Sequence, residues 1–187
     1  LHESAVAPVR ERQIPLHIRS TFAPDAPGTR IGFDAPASLS ASGVIGFAGR
    51  RPVSMLRVIF PENTEETALW EVRACLNEHR IETFHSACGV EGLCLLLSSG
   101  AEADALHAAA EQLREHFSGA QVKLRENLAV LLALCRSTKD IPKLSAAIEA
   151  SGAPVHHLVQ TPPGAMFCVN DSQYEQALRA AYGEAFA

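Results

Sequence analysis

Glu62, Glu65 and Glu66 crowd the start of one predicted helix, directly behind an apolar strand. Carboxylates at a helix N-terminus complement its dipole, and that structural role suffices for three of them. The chemical alternative is that Glu62 or Glu65 holds a cationic ligand. His156 and His157 are adjacent on a predicted strand. Strand neighbours point to opposite faces, so the pair cannot readily share a metal. His85 precedes Cys88 by three positions, a spacing open to a base and a nucleophile. The plainer reading is a polar strand end beside a buried thiol. His79, His107 and His116 are scattered and read as solvated helix faces. No G-x-x-x-x-G-K-S/T phosphate loop occurs. No catalytic set and no metal site is expected.

The chain has 187 residues, enough to bury a core in one large or two small domains. Its net charge of -5, with no basic stripe, argues against nucleic-acid binding. No apolar run approaches the roughly 20 residues that span a bilayer, so no membrane partner is expected. No charged-then-apolar leader is present. The first residue is Leu in mid-pattern, which reads as a piece of a longer protein. Cys75, Cys88, Cys94, Cys135 and Cys168 are odd in number and lack C-x-x-C spacing. They are expected to be reduced, buried thiols of a cytoplasmic protein.

The elements that would position these residues fall into a repeat. Leu1 to Arg12 reads as a helix end, and Pro15 then forces extended chain over Ile14 to Ile18. Pro24, Pro27, Gly28, Gly32 and Pro36 mark a boundary within Phe22 to Leu39. A first half follows as β-α-β-β-α-β: strand Val53–Phe60, a helix carrying Leu69, Val72, Leu76 and His79, strand Ile81–Ser86, a Cys88-Gly89 turn, strand Gly92–Ser98, helix Ala101–Phe117 and strand Ala120–Leu124. A second half gives β-α-β-β-α: strand Leu128–Cys135, helix Ile141–Ser151 ended by Gly152, strands Val155–Gln160 and Ala165–Val169 around Pro162-Pro163-Gly164, and helix Asp171–Phe186. It lacks a fourth strand. Val44–Gly49 is a spare strand in front of the first half, and it is expected to complete the second. Arg50-Arg51-Pro52 reads as a solvated link, Trp70 as core or dimer interface, and Arg57 as a sign that its strand has an exposed or partnered face.

The run LHESAVAPVRERQIPLHIRSTFAPDAPGTRI, Leu1 to Ile31, resembles the segment that closes the kinase domain of aspartate kinases, LHP-x-A-x-x-P…I-P-x-x-V-R-N-T-x-x-P-x-x-P-G-T-x-I. Glu3 and Ser20 depart from it. The tandem βαββαβ order is similar to the two ACT units that follow in that family. Asn127–Leu134 resembles the strand opening the second unit.

The resemblance implies an α+β fold of two ferredoxin-like units, the first inserted into the second, with antiparallel sheets and helices on one face. It implies the end of a kinase domain and linker over 1–40, a first unit over 53–125, and a second over 41–52 with 126–187. The function implied is the regulatory, oligomerising region of an aspartate kinase. ATP and Mg belong to the kinase domain, with no cofactor in this segment. Implied partners are a second copy, paired through the ACT units, and an amino-acid effector, lysine first and threonine second. The effector candidates are Glu62, Glu65, Ala68, Leu69, Thr83 and Phe84. The loops after the first strand of each half, 61–67 and 136–140, contain no Gly, whereas the family has one there for backbone contact with effector. The alternative is therefore a dimerisation module that binds no ligand. An acylphosphatase-type enzyme would need a Gly-rich anion cradle in the same loop, which neither half has.

Overall fold

The computed structural model describes residues 3–32, 43–61, 68–89, 92–98, 100–161 and 164–186. The chain divides into two compact units, Leu1–Leu39 and Ser40–Ala187.

In the smaller unit, helix α1 (Glu3–Glu11) precedes an antiparallel pair, β1 (Leu16–Ile18) and β2 (Thr29–Ile31). Strand β2 falls in the Pro/Gly-rich stretch read as a boundary. Gly28 explains it: at φ +65 beside the Ile18 carbonyl, it reverses the chain where a side chain would collide.

The larger unit holds one six-stranded antiparallel sheet in the order β4-β5-β3-β6-β8-β7. Two long strands form its centre, β3 (Val44–Ile59) and β6 (Gln121–Cys135). The others are β4 (Thr83–Gly89), β5 (Gly92–Leu97), β7 (His157–Thr161) and β8 (Gly164–Asn170). Four helices complete it: α2 (Ala68–Glu78), α3 (Ala103–His116), α4 (Ile141–Ala150) and α5 (Tyr174–Phe186). The expected spare strand is the first part of β3. Val44 to Arg50 pairs with Cys135 to Val130, and so supplies the fourth strand beside β6, β8 and β7. The later part of β3 pairs with β5 and with the start of β6, so the first repeat sits inside the second.

Parity along the long strands decides which face each repeat buries. In β6, Val122 and Leu124 pack under α2 and α3, whereas Ala129, Leu131 and Ala133 pack under α4 and α5. Even positions become odd ones. In a regular strand that would place the two helix pairs on opposite faces. The register removes the conflict: Val53 to Met55 spans the same ladder length as Leu128 to Arg125, so β6 carries one extra residue. Asn127, at φ 53, lies in that bulge. A matching irregularity lies between Arg50 and Val53. All four helices thus share one face.

The opposite face closes on itself. A flat sheet would hold its edge strands about 24 Å apart at the usual spacing. Yet His157 of β7 lines one cleft with Ala87 and Cys88 of β4. The folded sheet buries Val53, Met55, Leu96, Leu128 and Cys168 on a face that carries no helix.

Several expectations are corrected. Cys88 and Gly89 are not a turn but strand residues, with Gly89 opposite Gly92. Arg50-Arg51-Pro52 is exposed as expected, but it is part of β3 and not a link between two strands. Trp70 is not core, being 67% exposed. The buried stripe of α2 is Ala68, Val72, Cys75 and Leu76, and Trp70 lies about 200° around the helix from Ala68. The strand expected from Ile81 starts at Thr83, and that expected from Val155 starts at His157.

Candidate functional site

Of the effector candidates, Ala68 and Leu69 open α2, and Thr83 and Phe84 open β4. Ala68 is buried, and Leu69 packs partly against the same core. The apolar stripe of α2 requires this, since Ala68 and Val72 are one turn apart on its buried face. Thr83 pairs with Leu97, a residue of that core, so it too lies on the helix face. Its hydroxyl oxygen is buried and has no hydrogen-bond partner. An orphaned buried hydroxyl marks a place where a ligand group gains by binding. Phe84 does not join these three. The register slips between Thr83 and His85, and Phe84 packs on the inner face instead. There the Arg50 guanidinium sits 4.6 Å from its ring centre. Glu62 and Glu65 lie outside the described residues.

The helix face of the first repeat carries further polar ties. His116 Nε2 is 2.7 Å from Glu71 Oε2, linking α3 to α2. His79 Nε2 is 2.7 Å from Gln112 Oε1, and the Gln112 amide donates to Glu78 at 3.1 Å. Helix α3 is also tied to β6 by His107 and Glu126, 3.2 Å apart.

The two adjacent histidines have different surroundings, His156 lying in the bend ahead of β7 and His157 opening the strand. His156 Nδ1 accepts from Arg125 at 2.7 Å, and its Nε2 donates to Asn170 Oδ1 at 2.8 Å. Asn170 then donates to Gln173, which donates to the Gly152 carbonyl. Both nitrogens of His156 are engaged, which leaves none for a metal. His157 Nε2 is buried without a partner, as is His85 Nε2. Burial holds the His157 pKa below the usual histidine range, and the charges of Arg57 and His85 add to that. Burial alone does the same to His85. No group of three or more metal-ligating side chains occurs among the described residues.

Four cysteines are buried, and Cys88 is exposed; all are free thiols. Burial pushes Cys94 up to about 11 and Cys168 to about 12, so neither is a nucleophile at neutral pH. Cys88 and His85 do not form a base–nucleophile pair: Cys88 pairs with Leu93 on the helix face, and His85 pairs with Leu96 on the inner face.

Sequence reasoning missed the roles of Arg50 and Arg51. Arg51 donates to both carboxylate oxygens of Asp171, at 2.8 and 3.1 Å, and lies 5.1 Å from the Tyr174 ring centre. It thereby fastens the centre of β3 to the start of α5. The signal available was Asp171 itself, an acid just ahead of a predicted helix, but its partner lies 120 positions away.

No protein-family model and no curated protein matches the chain. Solved structures do. The aspartate kinase of Clostridium acetobutylicum superimposes with a TM-score of 0.83 at 20% identity, over 98% of this chain and 44% of that one. E. coli aspartokinase III in complex with lysine and aspartate gives 0.71 at 18% identity, over 100% of this chain and 42% of that one. The ligand-free regulatory subunit of aspartate kinase from Thermus thermophilus gives 0.61 at 20%, over 76% of this chain and 98% of that one. The architecture is an interleaved pair of ferredoxin-like units. Its fold is that of the regulatory region of aspartate kinases. The chain spans under half the length of the full enzymes and nearly all of the separate regulatory subunit.

Proposed function

We propose that the chain is the regulatory and oligomerising region of an aspartate kinase, the enzyme that phosphorylates L-aspartate with ATP at the head of lysine, threonine and methionine biosynthesis. The observation that carries this is the superposition over 98% of the chain, with the smaller N-terminal unit included. ATP and Mg belong to the kinase domain. The region senses an end-product amino acid, lysine first and threonine second, at the first repeat. Ala68, Leu69 and the unpartnered Thr83 hydroxyl line that place, and Glu62 or Glu65 receives the cationic end of the effector. Binding shifts the population toward an arrangement in which the kinase is inactive. Two copies pair through these units.

The second repeat is the poorer sensor. Its corresponding loop closes on itself: Ser137 Oγ accepts from the Lys139 N–H at 3.3 Å, and the Arg136 N–H donates to the Gly43 carbonyl at 2.9 Å. The absence of Gly from both loops favours a second reading, a dimerisation module that binds no ligand.

Thermal unfolding with lysine, threonine and methionine separately tests the two. A ligand at about 100 times its Kd adds roughly 2.7 kcal/mol, which for this length is a rise of about 5–10 °C. A rise with lysine alone supports the sensor, and no rise with any of the three supports the ligand-free module. Analytical ultracentrifugation tests the pairing.

A further inference from the structure

The inner face of the folded sheet opens into a cleft of about 430 Å³. Both repeats build it. Arg57 comes from β3, Ala87 and Cys88 from β4, Cys94 from β5, and His157 from β7.

Arg57 is exposed within the buried stretch of β3 from Val53 to Val58. Its direct cross-strand neighbours are Cys94 on one side and Lys123 on the other. Like charges directly opposite each other destabilise a sheet unless something answers them. None of the described residues does so: their ion pairs involve Arg51, His107, Arg114, His116 and Arg179, never Arg57 or Lys123. Arg125, the next cation along this face, already donates to His156. The cleft also receives His157, whose Nε2 is buried and unpartnered. Buried polar atoms are nearly always hydrogen-bonded, and an orphan in the same cleft as an unanswered cation calls for an acceptor. Among the described residues that line the cleft none is a carboxylate, and Ala87 and Cys94 supply apolar wall.

We infer that this cleft binds a small organic oxyanion, with Arg57 of the first repeat supplying the charge and His157 of the second donating a hydrogen bond. The ligand is a carboxylate- or phosphate-bearing metabolite with a short apolar body. The neutral state in which burial keeps His157 suits it as a donor that does not compete with Arg57 for charge. Such a ligand joins the two edges of the sheet across the fold. Among the described residues, the cleft shares none with the effector candidates, and its lining holds no acid for an amino-acid ammonium group.

The test is a titration of the 187-residue chain with inorganic phosphate and, separately, with succinate, at constant ionic strength set by sodium chloride. Proton NMR follows the His157 C2–H signal, assigned with His157→Gln, and calorimetry follows the heat. The expected result is a saturable shift of that signal with at least one of the two anions, weakened at least tenfold in Arg57→Gln and unchanged in the remote control Arg179→Gln. Saturation by phosphate alone identifies a phosphate ligand. Saturation by succinate alone identifies a carboxylate, and saturation by both identifies oxyanion recognition in general. No shift, a linear shift that never saturates, or an equal shift in Arg57→Gln overturns the inference. Arg57 is exposed, so Arg57→Gln keeps the test valid even where His157→Gln disturbs the fold. A lysine-induced thermal shift that survives Arg57→Gln reports the effector site separately, so either reading can fail without the other.

Discussion

The two repeats share a topology but hold their helices differently. In the second, α5 presents Ala177, Ala181 and Ala185 to the sheet, buried at 0%, 0% and 4%. Small residues at this i, i+4, i+8 spacing let the helix approach closely around the fully buried Phe167. An aromatic group of Phe47, Tyr182 and Phe186, with ring centres 4.6 to 6.4 Å apart, closes the end. In the first, a Leu-rich core is overlaid by exposed polar ties between α2 and α3, His116 with Glu71 and His79 with Gln112. Polar ties at the surface exchange easily with water and ligand, whereas close-packed Ala faces do not. The two repeats thus differ in how their helices meet the sheet, through small residues in the second and through a larger-residue core in the first.

The sharpest challenge to that contrast is to cut each core. Phe167→Ala is expected to cost about 3–5 kcal/mol, and Leu95→Ala in the first core about 2–5 kcal/mol. Because β3 and β6 run through both repeats, each variant should still unfold the larger unit in one transition by calorimetry. Two separated transitions would break the picture of interleaved repeats.

Glycine substitutions come next. Gly92 opens β5 against the Val58 carbonyl, and Gly164 opens β8 against the Ala133 carbonyl, so each occupies the same place in its repeat. A methyl group at either position collides with backbone oxygen. Gly92→Ala and Gly164→Ala should each cost roughly 2–4 kcal/mol, and chemical denaturation would measure both. A tolerant Gly164 beside an intolerant Gly92 would show that the repeats do not correspond.

A smaller effect concerns pH. His85 and His157 have folded pKa values lowered by burial, and in His157 by Arg57 and His85 as well. Below about pH 6.5, the ordinary histidine value, the unfolded chain binds protons that the folded one does not. Stability is therefore complete above that pH and declines as pH falls through it. His157→Gln should flatten the decline in midpoints measured from pH 7.5 to 5. An unchanged slope would place the titrating groups elsewhere. Arg51→Ala is expected to have the smallest effect, a slight loss of stability that fades in high salt, since the pair with Asp171 is partly exposed.

Much of this was readable from residue order. Helical spacing placed α2 to α5, and β-branched and leucine runs placed the strands. The missing fourth strand of the second repeat had a single candidate, Val44–Gly49. Arg57, a cation within an apolar run, flagged a face that is not ordinary core. The errors share a cause. Arg51-Pro52 and Cys88-Gly89 have the local chemistry of a link and a turn, but the first lies between Arg50 and Val53, both paired with β6, and the second pairs with Leu93 and Gly92 of β5, so strand structure runs through both. Trp70 was judged by its size, whereas its position around α2 sends it to solvent.

By itself the sequence determined element order, the nested repeat and the alternation that gives each strand one face for helices. The folding of the sheet was decided only in three dimensions. Whether an extra residue at Asn127 flips the parity of a strand depends on its partner's register, which no local pattern contains. That flip turns all four helices to one side, frees the other face to close, and brings Arg57 and His157, 100 positions apart, to a single cleft.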